Sequence, residues 1–219
     1  MTAGYWGRRR HLDPFVTTAE TRSTWANGRN HYRSFVVHVT GSAADTLAEL
    51  AESVGGFDCV RPASKESLHI AVKDLGFVVD EAAATDEIDP DSADAIADAA
   101  ADIFAREQRF EVTFPRLNVL PNSVFAEVDS DGRFERLHRE LLALPGAPTL
   151  PGDGDAYTPH ATLGEFRSTS DFQYFVEWLE EHRDVDADPF EVEAFSLVEV
   201  DPTLPFPPFD TLRSYELEE

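Results

Sequence analysis

The sequence predicts an α+β protein of two pseudo-symmetric lobes, each an antiparallel sheet with helices on its outer face, the two sheets facing a central cleft. Three observations lead there. Strand-like runs alternate with stretches of helical periodicity, and the second half repeats the order of the first. Two of the β-prone runs, Leu68-His69-Ile70-Ala71-Val72 and Pro159-His160-Ala161-Thr162-Leu163-Gly164, each carry a histidine two places before a small residue, ninety-one residues apart. Helices cannot pass through the middle of a sheet, so they cover the outer faces and leave the inner ones to the cleft.

The elements follow in order. Residues 1–30 lack periodicity and read as a basic, aromatic N-terminal extension, with Tyr5, Trp6, Phe15 and Trp25 able to pack on the body. Residues 31–219 form the two-lobed body, with lobes at roughly 31–108 and 109–219 that can exchange strands. Ser34–Thr40 is apolar and β-branched, a buried strand. Ser42 caps a helix striped with Ala43, Ala44, Leu47, Leu50 and Ala51, and Gly55-Gly56 ends it. A short strand lies around Asp58–Arg61, and Ser67–Val79 is the strand of His69. After an acidic loop to Pro90, Asp91–Arg106 is an amphipathic helix. Arg109–Val119 alternates as a strand, Pro121-Asn122 turns the chain, and Ser123–Val128 returns as its partner. Asp131–Leu144 is a helix and Pro145–Asp155 a Pro/Gly-rich loop. Tyr157–Phe166 is the strand of His160, Ser170 caps a helix to His182, and Phe190–Val200 is a further strand. Pro202–Pro208 is an excursion, after which Phe209–Leu217 closes an edge.

Composition bounds the function. The net charge is −24, and only Lys65 and Lys73 are lysines among 18 basic residues. Such a surface argues against broad binding to nucleic acid, which wants a basic patch. Many acids with almost no lysine instead resembles proteins of salt-loving archaea. In ~1 M salt the Debye length is roughly 3 Å, so distant surface charges barely repel an anionic ligand. The charge is uneven: residues 1–33 hold six arginines and two acids, whereas Asp80–Asp102 holds nine acids and no base. One cysteine, Cys59, excludes an intramolecular disulfide. No run is long and apolar enough to span a membrane, and no apolar stretch follows Arg8-Arg9-Arg10 as a leader requires. A monomer in the cytoplasm, with no membrane and no obligate protein partner, is expected.

In a strand, residues i and i+2 share a face. His69 therefore sits beside Ala71, and His160 beside Thr162. On adjacent strands the two imidazoles face one cleft, an acid–base pair suited to neutral pH. Taken alone, either histidine is a strand residue satisfied by a carbonyl. Together, with matching neighbours, they point to catalysis. His38 has no partner motif and reads as structural. No His/Cys/Asp cluster has metal-ligand spacing and no Gly-rich phosphate loop occurs, so neither metal nor cofactor is expected.

The paired histidine segments resemble the two-histidine phosphoesterase superfamily, which includes 2′-5′ RNA ligases and 2′,3′-cyclic nucleotide phosphodiesterases. Its hallmark is a pair of His-x-Thr/Ser-apolar motifs about one lobe apart. The His160 copy fits fully, and the His69 copy keeps the frame through Lys73 and Gly76. Arg33-Ser34-Phe35-Val36-Val37 looks like the opening strand, and the likeness covers about residues 32–217. It implies His69 and His160 as catalytic, and Thr162 as a phosphate contact. Ala71 stands where relatives carry a hydroxyl. Lys73, two residues on and on the same face by period two, is the candidate replacement contact with phosphate. Tyr157 and Arg167 are candidate substrate contacts, while Glu165 replaces a basic residue of many relatives. The implied reaction is hydrolysis of 2′,3′-cyclic phosphates on RNA ends or small nucleotides. Ligation or cleavage of a 2′-5′ linkage at the same site is the alternative within the class. A catalytically weak nucleotide- or RNA-binding protein is the alternative outside it.

Overall fold

A computed structural model describes Gly7 and residues 11–218. Gly4, Tyr5, Trp6 and Arg8-Arg9-Arg10 of the expected extension lie outside the described residues. The rest of that extension is not structureless, because it holds a helix, α1 (Ala19–Ala26). Thr18 and Thr21 cap it reciprocally and Asn27 ends it in the left-handed conformation. Only Ala26 of α1 is buried, so no apolar periodicity marked it.

The aromatic and β-branched run Tyr32–His38 forms β1. Helix α2 (Gly41–Gly55) follows, then β2 (Val60–Pro62), β3 (His69–Val78) and the two-residue β4 (Glu87–Ile88). Helix α3 (Pro90–Phe104) is capped by Asp89, whose carboxylate accepts the Ser92 N–H. The run expected as one strand over Arg109–Val119 is two, β5 (Phe110–Val112) and β6 (Leu117–Leu120). They part at Phe114-Pro115-Arg116, where proline offers no N–H to a ladder. Next come β7 (Ser123–Glu127), α4 (Arg133–Leu142), β8 (His160–Phe166) and α5 (Phe172–Glu181). Phe190–Val200 also divides, into β9 (Phe190–Val192) and β10 (Ala194–Val200), before β11 (Asp210–Glu216) closes an edge as expected. Neither serine assigned as a helix cap holds that place. The N-caps of α2 and α5 are Thr40 and Asp171. Asp171 spends its carboxylate on the backbone N–H groups of Asp58 and Cys59, which ties α5 to the approach of β2.

The main sheet runs β11-β10-β1-β3-β8-β7-β6, with β2 also pairing β8 and β4 also pairing β3; β5 and β9 form a separate ribbon. All of its pairs are antiparallel except that of β3 with β4. The two halves of the chain are interleaved in it. β10 and β11 lie beyond β1, while β2 joins β8. The two histidine strands touch at one register pair, Ile70 with Ala161, so the halves meet as neighbouring strands of one sheet. The core includes Phe35, Val37, Ile70, Val72, Ala161, Leu163 and Phe166 from the strands, with Leu47, Ile96, Leu137 and Phe175 from the helices. The other sheet face is left for the site.

Candidate active site

Around the Ile70–Ala161 pair, antiparallel geometry sets flanking residues opposite one another on the other face. His69 lies across from Thr162, and Ala71 across from His160. All four are half-buried, whereas Ile70 and Ala161 are fully buried. The histidines occupy one diagonal, where residues in such a pair are roughly 7–8 Å apart. The cavities agree with this placement. His69 and Thr162 line a hollow of about 370 Å³. Ala71 and His160 line its neighbour, and Asp74 lines both.

The two imidazoles are held alike. Nδ1 of His69 lies 2.8 Å from the Ser67 carbonyl, and Nδ1 of His160 lies 2.7 Å from the Thr158 carbonyl. A carbonyl only accepts, so each Nδ1 carries the proton and the labile one belongs to Nε2. Each ring also meets a phenylalanine edge-to-face, Phe209 against His69 and Phe125 against His160. Burial pulls the His69 imidazole below the usual histidine range. The Ser67 carbonyl and the Asp74 carboxylate oppose that shift, and charge on His160 reinforces it.

Period two fails just beyond the motifs. On β3, Ala71 pairs with Val36 and Lys73 with Phe35, so Val72 is passed over in a bulge. On β8, Thr162 pairs with Phe125 and Gly164 with Val124, so Leu163 is passed over. The bulge reverses the alternation. Lys73 therefore does not share the face of His69 and Ala71; it pairs with Phe35, on the core side of the sheet. There its fully buried ammonium donates to Asp153 at 2.8 Å and to the Asp74 carbonyl at 2.7 Å. Its charge is paired with the loop before β8, and the residue still lines the hollow of His160. The position it vacates falls to an acid in both strands, Asp74 on β3 and Glu165 on β8, each five residues past its histidine. Sequence reasoning noted Glu165 only as a departure from relatives and missed Asp74, although the shared spacing of His69…Asp74 and His160…Glu165 was there to read. Ser34 donates to Asp74 at 2.7 Å, and burial with that carboxylate raises the Tyr32 phenol.

Tyr157 stands where β3 and β8 diverge. Its hydroxyl donates to the Ala71 carbonyl at 2.9 Å, its ring stacks on His138 at 4.0 Å, and it lines the hollow of His160. Arg167 lies past the end of β8, donating through Nε to the Asp58 carbonyl at 3.0 Å, and lines neither hollow. His38 packs on Phe209, half-buried beside His69. Among the described residues no three His, Cys, Asp or Glu side chains converge as a metal site, and no helix is long and apolar enough to cross a membrane.

A sequence model described as the 2′-5′ RNA ligase superfamily matches residues 41–203, well over half of the chain. Solved structures share the fold at low identity. E. coli LigT complexed with 3′-AMP is 14% identical with a TM-score of 0.64, over 87% of this chain and 99% of that one. A Thermus thermophilus protein is 20% identical with a TM-score of 0.57, over 85% and 97%. E. coli LigT complexed with ATP is 15% identical with a TM-score of 0.55, over 88% and 100%.

Proposed function

The chain belongs to the 2′-5′ RNA ligase superfamily, and from that premise we propose that it hydrolyses 2′,3′-cyclic phosphates of RNA ends or small nucleotides, with His69 and His160 as base and acid. The observation that carries this is the arrangement around Ile70 and Ala161, two imidazoles on one diagonal with their Nδ1 protons fixed on backbone carbonyls.

Ring opening needs a water in line with the leaving ribose oxygen, a base for the water and an acid for the oxygen. Two imidazoles holding one proton between them supply both. Burial keeps His69 neutral near pH 7, so we give it the base role and His160 the acid role. The Thr162 hydroxyl lies across from His69 and takes a non-bridging oxygen as charge grows. Run in reverse on a 5′-hydroxyl end, the same groups make a 2′-5′ linkage. We place this chemistry in a monomer of a salt-rich cytoplasm, consistent with the net charge of −24.

The test is turnover of 2′,3′-cyclic mononucleotides in high salt without added metal. Wild type is expected to hydrolyse them and His160→Ala to lose the activity. A wild type that binds such ligands but shows no turnover above a double-histidine variant would mark a binding protein instead.

A further inference from the structure

The hollow beside His69 is walled by a helix that lies before the family match begins. Arg22 and Trp25 of α1 line it together with His69, Thr162 and Glu165. Arg22 is the one Lys or Arg among the described residues that line it. Its side chain is 11% exposed, and Nη2 pairs with Glu165. Its Nε is buried and has no hydrogen-bond partner among the described residues. A guanidinium offers five N–H donors in a planar fork suited to phosphate oxygens, and a buried donor without an acceptor is costly. Asp74 and Glu165 both face this hollow, so an anion entering it needs a cation. Trp25 adds a flat surface. It is 48% exposed, yet its ring is fixed against Tyr32 at 5.6 Å and Phe77 at 4.9 Å.

We propose that α1 is a ligand-binding wall of the site: Arg22 takes phosphate oxygens of a nucleotide lodged beside His69 and Thr162, and Trp25 stacks on its base. The proposal rests on the phosphoesterase reading for its ligand class. Glu165 holds the guanidinium in place and competes with the ligand for it.

Binding without turnover tests this, using inorganic phosphate and 3′-AMP as probes by calorimetry. Arg22→Gln should weaken both by about tenfold or more, as expected for a lost hydrogen bond to a charged group. Trp25→Ala should weaken 3′-AMP and leave phosphate unchanged. Glu165→Gln should tighten both, and the Arg22→Gln/Glu165→Gln pair should stay weak. The proposal is overturned if Arg22→Gln binds within about twofold of wild type, if the double variant regains wild-type affinity, or if wild type binds neither probe. Should Arg22→Gln fail to fold, Glu165→Gln decides, since unchanged or weaker binding overturns the proposal. Hydrolysis by wild type with unaltered binding by Arg22→Gln sinks this inference alone. Binding that depends on Arg22, without turnover, sinks the phosphoesterase reading alone.

Discussion

Ala71 is the one corner of the four around Ile70 and Ala161 without a polar side-chain atom. Its carbonyl is held by Tyr157, so a larger side chain there leaves the backbone anchored. Ala71→Thr places a second hydroxyl across from His160, the mirror of Thr162 beside His69. A hydrogen bond to a charged group is worth about 1.5–3 kcal/mol, or roughly ten- to a hundredfold. Ala71→Thr should raise kcat/KM for a cyclic nucleotide by about that range. An unchanged or lower value would show that this corner does not meet the phosphate. At this scale the histidines and Thr162 were legible because two short motifs repeat with the same neighbours. Arg22 was not, because a lone arginine in an aperiodic arm carries no pattern, and the fold alone brings it beside Glu165.

At the scale of elements, bulges decide which side chains the site receives. Period two reads a strand correctly until one residue is passed over, and nothing in Val72-Lys73 or Leu163-Gly164 announces that. This is why period two puts Lys73 on the face of His69, where the structure has Asp74, while Lys73 reaches the hollow of His160 from the core side with its ammonium held by Asp153. The divided strands over 109–119 and 190–200 failed for a related reason. Continuous alternation does not reveal that β5 and β9 leave the main sheet to pair with each other. Glycine was the better guide. Gly76 has φ +86, and a Cβ there would meet the Asp86 carbonyl oxygen at 2.4 Å, where β4 is laid against β3. Gly28 has a similar φ of +82 but open space around it. Both alanine variants pay for the left-handed backbone, and only Gly76→Ala adds a backbone clash. It should destabilise by more than about 1 kcal/mol and by more than Gly28→Ala, read from denaturant midpoints. Equal losses would mean that the approach of Asp86 to β3 is not fixed.

Across the whole molecule, 42 acids face 18 basic residues. Many described arginines are already paired, as Arg33 is with Glu199 and Asp94, Arg136 with Glu107 and Glu140, and Arg213 with Asp98. The exposed ones, such as Arg213 with Asp98, contribute little each, and the surplus negative charge repels itself in dilute buffer. Raising KCl from ~0.1 M to ~1 M shortens the Debye length from roughly 10 Å to 3 Å. The melting temperature at about pH 7.5 should rise with it; a flat or falling curve would contradict a surface adapted to salt.

All three scales meet in the claim that two imidazoles on neighbouring strands share one acid–base reaction. The direct measurement is metal-free hydrolysis of a 2′,3′-cyclic nucleotide in high salt by wild type, His69→Ala, His160→Ala and the double variant. Each single variant should lose about a hundred- to ten-thousandfold in kcat, and the double should be little worse than either, because the residues act as a unit. Substantial turnover surviving His160→Ala, or wild type no faster than the double variant, would contradict it.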